Sequence, residues 1–151
     1  MRKFLLLLFC LLTLRLQATA PEPAEPIGQR FGLSLLEVLD SIQKEGLYHY
    51  IGSSGKPITP DAPVMIDFLD ASRTRLLTYS FTHDKCDLAS MMLPLADLDS
   101  LVRRYDQQFP SLGKQVWRTP YGSIRVIVAI GAESLMKDHR PHLRVIFDPT
   151  L

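Results

Sequence analysis

Asparagine is absent from this sequence of 151 residues, so no Asn-x-Ser/Thr glycosylation sequon exists in it. Cysteine is nearly absent: Cys10 lies in an N-terminal apolar run and Cys86 stands alone beyond it. With one cysteine after that run, an internal disulfide is impossible there, and the hydrophobic core must supply stability unaided. There is no excess of one charge either, since 17 Lys and Arg face 16 Asp and Glu. That balance excludes attraction of nucleic acid by bulk charge and leaves no polybasic patch for a membrane surface. The almost unbroken apolar run Phe4–Leu14 is 11 residues long, well short of the roughly 20 needed to cross a bilayer.

What that run does form is the centre of a secretory signal. Arg2 and Lys3 precede it, and Ala18-Thr19-Ala20 supplies the small-x-small pattern of a cleavage site. Residues 1–20 are therefore expected to be a signal peptide. Cys10 follows Phe9 inside the apolar run, which is not the setting of a lipidated cysteine. Cleavage after Ala20 leaves 131 residues, with 14 Lys and Arg against 16 Asp and Glu. The product is exported, periplasmic or extracellular, with no stable membrane anchor after cleavage. Residues 21–26, a Pro/Glu/Ala tract, form a spacer, and residues 27–151 form a single domain.

The domain is organised around the stretch from Arg75 to Phe109. Leu77, Tyr79 and Phe81 alternate with Thr78, Ser80 and Thr82, the period of a strand with one buried face. His83-Asp84-Lys85 makes the turn, and Asp87–Leu95 returns beside the first strand. Leu98, Leu101, Val102 and Tyr105 then recur at helical spacing over Leu98–Phe109, with Asp97 as cap and Pro110 as stop. Upstream, Ser34 and Glu37 have capping-box spacing. Leu35, Leu36, Leu39 and Ile42 supply an apolar face, and Gly46 closes a helix over Leu35–Glu45. Leu47–Ile51 is a short strand, Gly52–Pro63 a loop, and Val64–Leu69 another strand. Ser111–Lys114 is a connection, Val116-Trp117 a short strand and Thr119–Gly122 a turn. Strands over Ser123–Ile130 and His142–Phe147 flank a loop over Gly131–Pro141.

The order helix, strands, hairpin, helix, strands predicts an α+β fold. Short turns between neighbouring strands favour a mostly antiparallel sheet. Two helices are expected to cover one face of it, giving a two-layer sandwich. The arrangement reads as two loose copies of a helix followed by a β-meander, without a residue-level repeat. Tyr79-x-Phe81, the polar turn, Cys86, the helix with Leu98, Leu101 and Tyr105, then Trp117 and Gly122-Ser123-Ile124 together resemble small exported bacterial proteins of uncharacterised function. The resemblance covers most of Leu76–Phe147. It implies an exported α+β domain and carries over no catalytic residue and no ligand.

Two kinds of chemistry are open to these residues. The spacing His83-x-x-Cys86 and His139-x-x-His142 could place two pairs of ligands on one zinc ion. Alternatively Cys86 could act as a thiol nucleophile beside His83, His139 or His142. Both would make the protein a metal-dependent or thiol-based enzyme. Against them stands the absence of an activating context or a knuckle sequence. The principal expectation is a non-enzymatic binding or interaction module without a cofactor. Its candidate residues are the aromatics Tyr48, Tyr50, Trp117 and Tyr121 and the outward-facing Arg125 and Arg144, because large rigid side chains and arginines dominate interface energetics. Its partner is expected to be a protein or glycan of the cell envelope, not nucleic acid.

The signal reading has a direct check. The protein recovered from its own compartment should have the mass of residues 21–151, with Pro21 as N-terminus. A chain that retains Met1 or Phe4 in that fraction overturns the cleavage.

Overall fold

The computed structural model describes residues 29–54, 62–129 and 141–150. The signal segment 1–20, the spacer 21–26 and His139 lie outside the described residues. Helix α1, Leu35–Glu45, begins where the sequence marks it. The Ser34 Oγ accepts the Glu37 N–H, and the Glu37 carboxylate accepts the Ser34 N–H at 2.8 Å. Those backbone and side-chain bonds from Ser34 hold the Glu37 carboxyl below its ordinary pKa. The Leu35 N–H donates to the Asp84 carboxylate at 3.1 Å, so a distant turn also serves the helix start. Val38 and Ile42 are the buried residues of α1, whereas Leu36 is 74 % exposed and leaves the expected apolar face. The buried stripe is centred on Val38, and Leu36 lies about 200° around the helix from it. Gly46, at φ +68°, stops the helix in the left-handed conformation.

Four strands follow: β1 Tyr48–Ser54, β2 Val64–Asp70, β3 Leu76–Thr82 and β4 Lys85–Pro94. β1 runs three residues beyond the expected Ile51, because a bulge between Tyr50 and Gly52 restores its pairing with β2. The β3–β4 turn is tighter than expected. His83 and Asp84, at φ +51° and +58°, make it alone, and Lys85 already belongs to β4. A 3-10 turn, Leu95–Asp97, leads into helix α2, Leu98–Gln108. Asp97 sits at the cap position but makes no side-chain cap bond; its carboxylate pairs instead with Arg75 at 3.4 Å. The second meander is β5 Ser111–Gly113, β6 Val116–Thr119, β7 Gly122–Ala129 and β8 His142–Asp148. β5 replaces part of the expected connection, since Lys114 and Gln115, both at positive φ, turn the chain back onto β6.

The fold is α+β, as the sequence implies, with one eight-stranded antiparallel sheet in the order β1-β2-β3-β4-β8-β7-β6-β5. Each half is a helix followed by a four-stranded meander, and the meanders meet where β4 pairs with β8. Register divides the side chains between two faces. Ile66, Phe68, Leu77, Tyr79, Met91, Val145, Val126 and Trp117 point to one face and join Val38, Ile42, Leu101 and Tyr105 of the helices in a single core cluster. Gly122, at φ +134°, has the Asp148 carbonyl 2.1 Å from where a Cβ would stand, which fixes glycine at the start of β7.

One polar clasp ties the N-terminal segment to the sheet. Arg30 is 6 % exposed, donates from Nη1 to the Tyr79 hydroxyl at 3.0 Å and from Nε to the Ser41 hydroxyl at 3.3 Å, and pairs with the Glu45 carboxylate. Beside it the Gly32 N–H donates to the Cys86 carbonyl, and the Cys86 N–H to the Leu33 carbonyl, each at 2.8 Å. Removing the guanidinium leaves Tyr79 and Glu45 without these bonds. Arg30→Ala should therefore lower unfolding free energy by about 2–4 kcal/mol in urea titrations, and Arg30→Lys should restore only part of it. A change within error for Arg30→Ala would remove the clasp from the list of stabilising contacts.

Candidate functional site

The short left-handed exit at Gly46 reverses the chain, so β1 runs back along α1 and their side chains face each other. Leu39 and Gln43, one helical turn apart, stand over Tyr48, His49 and Tyr50 of β1 and Phe68 of β2. Together they line a groove of about 570 Å³ at the edge of the sheet. That size, with an aromatic wall and the Gln43 amide, falls in the range of small-ligand and peptide-anchor pockets. Tyr50 is 54 % exposed and packs edge-to-face on Phe68, with ring centroids 5.9 Å apart; Phe68 packs in the same way on Tyr79 at 6.2 Å. The outermost ring of a three-strand aromatic ladder is thus presented to solvent, while its innermost ring is held by Arg30.

The sequence-derived aromatics divide. Tyr50 and Tyr121, the latter 53 % exposed in the β6–β7 turn, are surface residues. Tyr48 and Trp117 are not: they are 4 % and 1 % exposed and belong to the core. Tyr48 still forms the floor of the groove, and its hydroxyl approaches the Met91 sulfur at 3.7 Å. Trp117 packs on Tyr105 at 5.3 Å and donates its indole N–H to Asp106 at 2.8 Å, so its polar group is satisfied inside. Leu39, Gln43, His49 and Phe68 escaped the sequence reading. The signal was the Leu39–Gln43 spacing, which puts both on one side of a helix that ends in a reversing glycine.

Arg125 and Arg144 are exposed on the sheet face opposite the core cluster. Arg125 pairs across from Ile146, and Arg144 across from Ile127, which makes the two arginines diagonal neighbours. The sequence reading missed Arg118, which lies diagonal to Arg125 on β6 because Val116 pairs with Arg125.

The histidine and cysteine residues do not converge. Cys86 pairs with Phe81 at the start of β4, and His142 pairs with Pro94 at its end. The eight residue steps of β4 between those rungs span about 26 Å, so one zinc ion does not reach both, which corrects the four-ligand expectation. His83 is an exposed turn residue, and among the described residues no group of three His, Cys, Asp or Glu is placed to hold a metal ion. Cys86 is 3 % exposed, and burial, reinforced by the charge of Asp87, pushes its thiol pKa from 9.0 up to about 12. A nucleophilic cysteine needs the opposite shift; this one packs as a small apolar side chain.

No described helix is long and apolar enough to cross a membrane. Comparison of the chain with protein-family models, with curated proteins and with solved structures found no match.

Two measurements follow from the Cys86 environment. A thiol reagent at mildly alkaline pH should label Cys86 only after denaturation; rapid labelling of the native protein would overturn its burial. The folded thiol ionises at higher pH than the unfolded one, so the proton is bound more tightly in the native state. Its contribution to stability is complete below pH 9 and is lost as pH rises toward about 12. Cys86→Ala should remove that part of the alkaline decline.

Proposed function

We propose that this protein is an exported, non-enzymatic binding module whose partner is a protein or glycan of the cell envelope. The observation that carries the reading is the groove between α1 and β1. Its wall is aromatic, its polar side chain is the neutral amide of Gln43, and it lies at an outer edge of the sheet. Aromatic faces gain from stacking on apolar peptide side chains and on the C–H faces of sugars. Gln43 adds donors and an acceptor that fix orientation. Export, with a periplasmic or extracellular destination, rests on the signal pattern of residues 1–20. Likeness to small exported bacterial proteins of uncharacterised function points the same way. The buried, weakly acidic Cys86 favours a binding role over thiol catalysis.

β1 reinforces the reading. It is an outermost strand of seven residues, Tyr48–Ser54, with neither lysine nor proline, the residues that usually protect a sheet edge. The opposite edge, β5, has only three residues.

The test is capture on peptide and glycan arrays of envelope composition, comparing the wild-type protein with Tyr50→Ala. Tyr50 is exposed, so its loss should leave the fold intact while weakening a captured ligand about tenfold or more. A wild-type protein that captures nothing specific, or a ligand indifferent to Tyr50→Ala and Gln43→Ala, would defeat the proposal.

A further inference from the structure

The open face of the sheet holds a pattern that the groove does not use. Number the rungs from Arg125 on β7. Arg118 on β6 then stands two residues to one side, because it pairs with Ser123. Arg144 on β8 stands two residues to the other side, because it pairs with Ile127. The three arginines thus form one straight diagonal across three adjacent strands, with neighbours about 8 Å apart. All three are exposed, and none of their side chains makes a hydrogen bond or ion pair with another described residue. Among the described residues, Asp148 pairs with Ser123 on that face, and its carboxylate accepts the Thr150 N–H at 2.8 Å and the Thr150 hydroxyl at 2.5 Å.

Aliphatic side chains fill three of the four alternate squares, and the buried Ser123 fills the fourth, across from Arg118. Ile127 and Ile146 sit on either side of the Arg125–Arg144 step, and Val116 sits directly across from Arg125. Ile127 is 39 % exposed, and Val116 and Ile146 are half-buried. The apolar sides of both helices already belong to the core cluster on the other face. The far half of the open face carries Asp67 instead, its carboxylate accepting the Thr78 hydroxyl at 2.6 Å. The arginines of the described strands on this face, Arg118, Arg125 and Arg144, all lie on β6, β7 and β8.

We propose that this checkerboard is a second recognition site, distinct from the groove, for an acidic polypeptide segment in which apolar side chains accompany the carboxylates. Guanidinium groups match carboxylates in planar, bidentate geometry. An extended chain sets side chains of one side about 7 Å apart, close to the arginine pitch and within the reach of flexible three-carbon stems. The isoleucines and valine select polypeptide over bare polyanions, which offer them nothing to cover. The balanced charge of the whole chain adds no long-range pull on nucleic acid.

The test uses the chain of residues 21–151 and fluorescence anisotropy with three labelled probes: an alternating Glu–Val peptide, poly-Glu of equal length and dextran sulfate. The Glu–Val peptide should bind tightest, and its affinity should fall as salt screens the contacts. Arg118→Gln, Arg125→Gln and Arg144→Gln should each weaken it about two- to fivefold, and the triple variant should abolish measurable binding. Arg→Lys variants should recover part, and Ile127→Ser should erase the preference over poly-Glu. Tyr50→Ala should change nothing, which separates failure of this site from failure of the groove. Equal or tighter binding of dextran sulfate would overturn the polypeptide assignment. Absence of Glu–Val binding at millimolar peptide, or binding that survives in a triple variant of unchanged circular dichroism, would overturn the site.

Discussion

The antiparallel pairing of β4 with β8 holds the two halves of this protein together. The other strand pairs join strands that are consecutive in the chain within each meander. The β4–β8 rungs, from Ala89–Phe147 to Pro94–His142, connect residues separated by 48 to 58 positions of chain. Contacts of that range carry the larger loop-closure entropy, so they form against the chain's freedom and not with it. What makes them favourable is the apolar layer they complete: Met91 beside Val145, Leu93 beside Leu143 and Ala89 beside Phe147 are all buried. The pairing joins two half-sheets into one continuous core, against which residues of both helices pack.

That junction also governs which chemistry the molecule can support. By setting Cys86 and His142 at opposite ends of β4, it separates residues that would need to converge for zinc. By fixing one continuous core face, it turns Cys86, Tyr48 and Trp117 inward and leaves the arginines of β6, β7 and β8 outward. The proposed recognition surfaces are what remains: an aromatic groove at one edge and a cationic diagonal on the open face. The groove is braced from within. Tyr50 leans on Phe68, Phe68 on Tyr79, and the hydroxyl of Tyr79 is held by Arg30, which also binds α1 through Glu45 and Ser41. A single buried cation therefore positions both walls of the groove, the helix and the strand ladder. Arginine suits that role because its fork serves several acceptors at once and stays charged when buried.

Much of the architecture was legible in the residues. The capping box at Ser34 and Glu37, the alternation of Leu77, Tyr79 and Phe81, and the helical spacing of Leu98, Leu101 and Tyr105 each have a local cause, and each element formed. Local signals failed where a partner strand decided. β1 continued through Gly52 to Ser54 because β2 was there to pair with it, although glycine and serine are poor strand residues. Ser111–Gly113 became a strand because the Lys114–Gln115 turn folded it onto β6. Asp97 surrendered its capping role to an ion pair with Arg75, twenty-two positions away. Arg118 had no face to be read from while its strand was taken to end at Trp117.

The sequence by itself determined the α+β class, both helices, the alternation that sorts inward from outward residues, and the exposure of Arg125 and Arg144. These follow from hydrophobic periodicity and side-chain–backbone bonds, which act over a few residues. Only the tertiary structure decided which outward residues are neighbours and which aromatics are buried. It decided too that Leu39 and Gln43 meet Tyr48 and Tyr50, and that Cys86 lies far from His142. Those outcomes depend on strand order and register, which are set by how the whole sheet buries its apolar face and not by any short stretch of chain.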